Sequence, residues 1–120
     1  MDTLLSRQII RCALEVHNVL GTGFLESVYQ TALVHELGLA GLKTEMECKI
    51  DVSYKTQKVG LYYADILVED RFILEIKCCA KIINEHIFQV KNYSRGTGLN
   101  DSLIFNFQPR TLEFMRVFPG

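Results

Sequence analysis

The sequence predicts an α+β fold with the element order ααβββαββ, and three observations carry that expectation. Apolar residues recur at helical spacing as far as Leu39. Short β-like runs take over from Thr44, and one further helical stretch interrupts them before two last strands.

Each element follows from local chemistry. Over residues 4–20, the side chains of Leu5, Ile9, Cys12, Ala13, Val16 and Leu20 share one side of a helix. Gly21-Thr22-Gly23 breaks it, and a second helix is expected over about 24–39, with Leu25, Val28, Tyr29, Ala32 and Leu33 on one face. Gly38 and Gly41 end that helix. Strands are expected over 44–54, 59–68 and 72–77, separated by the polar turns Lys55-Thr56-Gln57-Lys58 and Glu69-Asp70-Arg71. A third helix over about 83–96 carries two stripes, one of Ile83, Ile87, Val90 and Ser94 for the core and one of His86, Gln89 and Tyr93. Gly96-Thr97-Gly98 stops it, and strands over 103–107 and 111–118 flank Gln108-Pro109-Arg110.

Length and composition narrow the function. With 120 residues, 48% of them apolar and 22% charged, residues 1–120 are expected to form one globular domain. No apolar run nears the roughly 18–20 residues a membrane span needs, and the N-terminus lacks a signal-peptide pattern, so the expected location is cytoplasmic. Cys12, Cys48, Cys78 and Cys79 form no C-x-x-C pair and read as reduced, small hydrophobes. Net charge is −1 and the pI is near 6.3, so any nucleic-acid affinity must rest on local chemistry and be modest and salt-sensitive.

The most informative stretch runs from Tyr62 to Lys77. Side chains alternate along a strand, so Glu75 and Lys77 project one way while Leu74 and Ile76 project the other. A hairpin closed by residues 69–71 sets Asp65 opposite Glu75 and Tyr63 opposite Lys77. Like charges placed so are destabilising unless something compensates, and a hard divalent cation suits two carboxylates. A solvated sheet face explains an isolated E-x-K better. The core-like runs Ile66-Leu67-Val68 and Phe72-Ile73-Leu74 argue that this face is being buried, where an unpaired charge is expensive. Glu26 borders the apolar stripe of its helix, either reaching to the sheet or simply favouring the helix dipole. The spacing of His86, Gln89 and Tyr93 fits a semi-exposed face as well as a cleft.

Taken together, Gly23, Glu26 and Tyr29, the Ala64-Asp65 and Leu74-Glu75-Ile76-Lys77 pieces, His86, Gln89, Tyr93 and the closing Leu103-Ile104-Phe105-Asn106-Phe107 run resemble the GxxExxY proteins. That family is grouped with the PD-(D/E)XK nucleases, and Gln89-x-x-x-Tyr93 resembles the Q-x-x-x-Y motif of their RecB-like branch. Ala64 stands where the superfamily's name has Pro, a residue that supplies no ligand.

The resemblance implies a restriction-endonuclease-like core, a mixed sheet flanked by helices. It implies that Asp65, Glu75, Glu26 and the backbone carbonyl of Ile76 hold Mg²⁺ or Mn²⁺. Lys77 would position a water and offset phosphoryl charge, while Gln89, Tyr93 and His86 would support the site or touch a nucleic-acid backbone. The implied activity is hydrolysis of phosphodiester bonds in DNA, before RNA. The competing expectation is an inactive nucleic-acid-binding or protein-interaction module that keeps the fold. A small nuclease with a short binding surface also invites a homodimer.

Overall fold

The computed structural model describes residues 3–99 and 101–118, which form three helices and five strands in the order the sequence predicts. Helix α1 spans Thr3–Leu20 and α2 spans Glu26–Leu39. Strands β1 (Thr44–Tyr54), β2 (Gln57–Val68) and β3 (Phe72–Lys77) follow. Helix α3 (Asn84–Thr97) crosses over to β4 (Asp101–Asn106), and β5 (Glu113–Val117) ends the series.

The strands lie side by side in the order β1-β2-β3-β4-β5. Neighbours are antiparallel except β3 and β4, which run parallel because α3 returns the chain to the end at which β3 began. The sheet is therefore mixed and covered by helices, an α+β architecture of the restriction-endonuclease-like kind.

Its two faces are packed separately. On one, Leu5, Ile9 and Val16 of α1 and Tyr29, Leu33 and Leu37 of α2 meet Ile66, Val68, Phe72, Leu74, Ile76, Leu103 and Phe105. On the other, Val90 and Tyr93 of α3 meet Ile50, Ala64, Leu67, Ile73, Ile104 and Val117. Each fully buried aliphatic side chain here contributes roughly 1.5–3 kcal/mol. Burial on both faces explains why β3 and β4 read as continuous apolar runs rather than alternating ones.

Several boundaries differ from expectation. Strand β2 begins at Gln57 because Lys55 and Thr56 alone make the turn, both with positive φ (47° and 68°). That is the geometry of a tight two-residue hairpin, reached here without the usual glycine signal. The second helix starts at Glu26 because Leu25 is extended. Ile83 is no core residue: it precedes α3 in extended conformation and is 41% exposed, while neighbouring Ile82 is buried.

One irregularity shapes everything that follows. Ala64 packs on the α3 side and Ile66 on the opposite side, although residues two apart in a regular strand share a face. The alternation breaks at Asp65, across from Glu47 on β1, whose φ is 56°. Beyond this point β1 and β2 leave the body of the sheet as a two-stranded arm.

Candidate active site

The β2–β3 ladder runs from Val68↔Phe72 through Leu67↔Ile73 to Ile66↔Leu74, the register that sets Asp65 against Glu75. There the ordinary ladder gives way to side-chain bonds. The Ile76 N–H donates to Asp65 Oδ2 at 2.7 Å, and the Asp65 N–H donates to Glu75 Oε1 at 3.3 Å. On the next residue but one, the Cys78 N–H donates to Glu26 Oε2 at 3.1 Å. Each of the three acids is thus pinned through one oxygen to the backbone where β2 and β3 part.

The electrostatics of this junction are strained. Glu75 is only 4% exposed, and burial, with the charge of Asp65 added, pushes its carboxyl up to about 8. Asp65 and Glu75 lie within hydrogen-bonding reach of each other, so the pair favours sharing a proton. Burial likewise raises Asp65, opposed by the Ile76 N–H and reinforced by the charges of Glu47 and Glu26. Lys77, half-buried on the same strand face as Glu75, lowers both carboxyls by charge but makes no ion pair with either among the described residues.

Tyr93 completes the α3 side. Burial raises its phenol, and the charges of Glu75 and Asp65 raise it further, so it stays a neutral hydroxyl at physiological pH. Gln89, one turn earlier, is half-buried and takes no hydrogen-bond partner among the described residues. His86 does something different from what its stripe suggested: its Nδ1 accepts the Ile83 N–H at 3.2 Å, helping to cap α3. Tyr63 does not face Lys77. The ladder has ended before it, and it lies 52% exposed on the arm.

The loop before α2 explains why glycine and tyrosine flank Glu26. Gly21 and Gly23 take positive φ (71° and 105°), which lets the chain turn sharply between the helices. Tyr29 is fully buried and stacks on Phe107 with centroids 4.5 Å apart. Its Oη donates to the Gly21 carbonyl at 2.6 Å and accepts the Phe24 N–H at 3.4 Å. Gly23 and Tyr29 therefore fix the start of the helix that presents Glu26.

Three contributors were not singled out in the sequence. Gln30 is buried, and its Nε2 donates to the Asp65 carbonyl at 2.8 Å and to Glu47 Oε1 at 3.1 Å. It sits one helical turn after Glu26, the one signal that points to it. Glu47 brings a fourth carboxylate to the neighbourhood, disguised as an ordinary strand residue. Asn106, fully buried opposite Lys77 on β4, holds the loop beyond β3: its amide bonds Cys79 N–H and C=O and Glu113 Oε1.

The donor set fits a hard divalent cation chemically, since the buried Glu75 and half-buried Asp65 carboxyls, in reach of each other, would each gain from a positive charge between them. Among the described residues, however, no three His, Cys, Asp or Glu side chains already converge as a ready cage. Asp65 and Glu75 meet, while Glu26 acts on Asp65 by charge. The four cysteines are free thiols, each raised chiefly by burial. No helix among the described residues is long and apolar enough to cross a membrane.

A family model of the PD-(D/E)XK nuclease superfamily matches residues 3–117. The chain belongs to this superfamily. Its fold is also similar to that in the crystal structure of a protein called SSO0001, with a TM-score of 0.51 and 11% identity over 98% of this chain and 78% of that one. No curated protein sequence matches the chain significantly. The matched span includes the β2–β3 junction with Asp65, Glu75 and Lys77.

Proposed function

We propose that this PD-(D/E)XK protein is a divalent-metal-dependent nuclease that hydrolyses phosphodiester bonds in DNA, before RNA, in the cytoplasm. We further assign it to the GxxExxY group and the RecB-like branch, on Gly23, Glu26, Tyr29 and Gln89-x-x-x-Tyr93. The single observation that supports this reading most is the Asp65–Glu75 contact. It sets a buried acid, Glu75, against a half-buried one, Asp65, beside one lysine, an arrangement costly to the fold and useful to a cation.

In this reading Asp65, Glu75, the Ile76 carbonyl and Glu26 would hold Mg²⁺ or Mn²⁺, which would supply Lewis-acid chemistry for phosphodiester hydrolysis. The chain's own residues do the rest. Lys77 orients the attacking water and offsets charge developing on the phosphoryl oxygens. Backbone N–H groups keep the acids from rotating away, so little reorganisation accompanies the reaction. Tyr93 offers an uncharged hydroxyl and Gln89 an amide to the substrate backbone, and His86 steadies the helix that carries them. A homodimer would extend the short binding surface of one chain.

The net charge of −1 favours a second reading, an inactive nucleic-acid-binding or interaction module on the same fold. Cleavage separates the two. With Mn²⁺ or Mg²⁺ at low salt, the protein is expected to cut at least one of single-stranded, duplex, flapped or branched DNA. Lys77→Ala should reduce the rate by about a hundredfold or more while keeping metal binding. Equal trace activity in wild type and Lys77→Ala would mark contamination and favour the module.

A further inference from the structure

Beside the acid pair, the arm and the C-terminal half of α3 enclose a groove of about 550 Å³. Its walls include Tyr62 and Asp51 from the arm and Asn92, Arg95 and Gly96 from α3. It begins one ring away from the acids. Tyr62 meets Tyr93 with centroids 5.3 Å apart, and Tyr93 in turn feels the charges of Glu75 and Asp65. Gln89, Asn92, Tyr93 and Gly96 share one helical stripe, so the groove continues the same face of α3 that borders the acids.

The groove's chemistry is specific. Tyr62 is braced on Tyr93 yet 43% exposed, leaving part of its ring open. Asp51 is tied to Lys58 at 2.9 Å, and hydrogen bonding to that lysine holds its carboxyl below the usual range. Its charge is thereby offset. Arg95 touches only Asn92 Oδ1, at 3.5 Å, and pairs with no carboxylate among the described residues. Gly96 sets the floor: a Cβ there would come within 2.8 Å of Ile50 Cγ2, so only glycine lets α3 approach the arm this closely. The result is a part-open ring face, an amide bonded to Arg95 and a guanidinium without a carboxylate partner among the described residues, around a space of nucleotide size.

We infer that this groove is a subsite for one unpaired nucleotide of a DNA or RNA strand. Its base would stack on Tyr62 and its phosphate would pair with Arg95, flanking the cleavage position. Duplex nucleic acid hides its base faces within the stack, so a ring platform selects strands whose bases are free. The inference deepens the nuclease reading by naming single-stranded or frayed substrates, and it rests on that reading for its place beside the cut.

Fluorescence anisotropy on the full chain, in EDTA and at low salt, measures binding without cleavage. The probes are a labelled oligothymidylate, its ribo counterpart and a blunt duplex of the same length. The single strand should bind about tenfold or more tighter than the duplex. Tyr62→Ala should weaken it about tenfold, with Tyr62→Phe restoring most of the loss. Arg95→Ala should weaken it and lower the slope of log affinity against log salt by about one. Whichever of the deoxy and ribo strands binds tighter identifies the sugar the subsite accepts. Duplex binding equal to strand binding would overturn the subsite. So would wild-type affinity in Arg95→Ala, a surface change that leaves the core untouched. Failure to cleave with strand binding intact would remove the nuclease reading alone, whereas cleavage by variants with unchanged affinity would remove the subsite alone.

Discussion

Glu75 shows how one buried acid can cost a fold stability. Its folded value of about 8 lies above the ordinary 4.5, so the folded chain holds this proton more tightly than the unfolded chain does. The sign follows directly. The contribution to stability is fully present below about pH 4.5 and is lost as pH rises through about 8, and Asp65 shifts in the same direction. Metal-free protein should lose up to a few kcal/mol of stability across that window. Glu75→Gln keeps the shape without the charge, so its melt should rise at pH 8 and its pH slope should flatten. A wild-type melt independent of pH over this range would mean that Glu75 is not held from water. The nearness of Asp65 and Glu75 was legible in the sequence because the loop at 69–71 sets the hairpin register, whereas their proposed role rested on the family resemblance. Gln30 and Glu47 were not legible, since their roles depend on a break in alternation at Asp65 that no periodicity encodes.

At the scale of elements, order and type were legible, as was the antiparallel β2–β3 hairpin, and the pairing of β3 with β4 was not. Periodicity marks a strand but does not say which strand lies beside it. The parallel pairing of β3 with β4, which brings Asn106 beside Lys77, emerges only when α3 is packed. The arm was hidden for a related reason: Lys55 and Thr56 adopt a turn usually announced by glycine, so β2 looked shorter than it is. The loop from Lys77 to α3 depends on Asn106, whose amide is its buried link to Cys79 and Glu113. Asn106→Ala would leave the Cys79 N–H and C=O without these partners, while Glu113 keeps the Ile82 N–H, and should cost about 2–3 kcal/mol in chemical denaturation. A change below about 0.5 kcal/mol, the level of an ordinary surface substitution, would show that the loop holds itself.

For the whole molecule, the central feature is that two separately packed sheet faces meet at one strained junction. The α1–α2 side delivers Glu26 through the loop pinned by Tyr29, and the α3 side delivers Tyr93. Asp65 and Glu75 stand where β2 turns away from β3 into the arm. A near-neutral chain with this arrangement concentrates its charge locally instead of spreading a basic surface, and in the proposed reading its nucleic-acid affinity should be modest, with a shallow salt slope set by few phosphate contacts. Because the acid pair keeps a proton near neutrality, a cation entering between them must displace it. Calorimetric titration of Mn²⁺ at pH 7, repeated in buffers of different ionisation enthalpy, reads that exchange directly. Binding should release about one proton per ion in the wild type, and Glu75→Gln should lose both the heat and the proton. Binding without proton release, or unchanged binding in Glu75→Gln, would contradict a cation site at the Asp65–Glu75 pair.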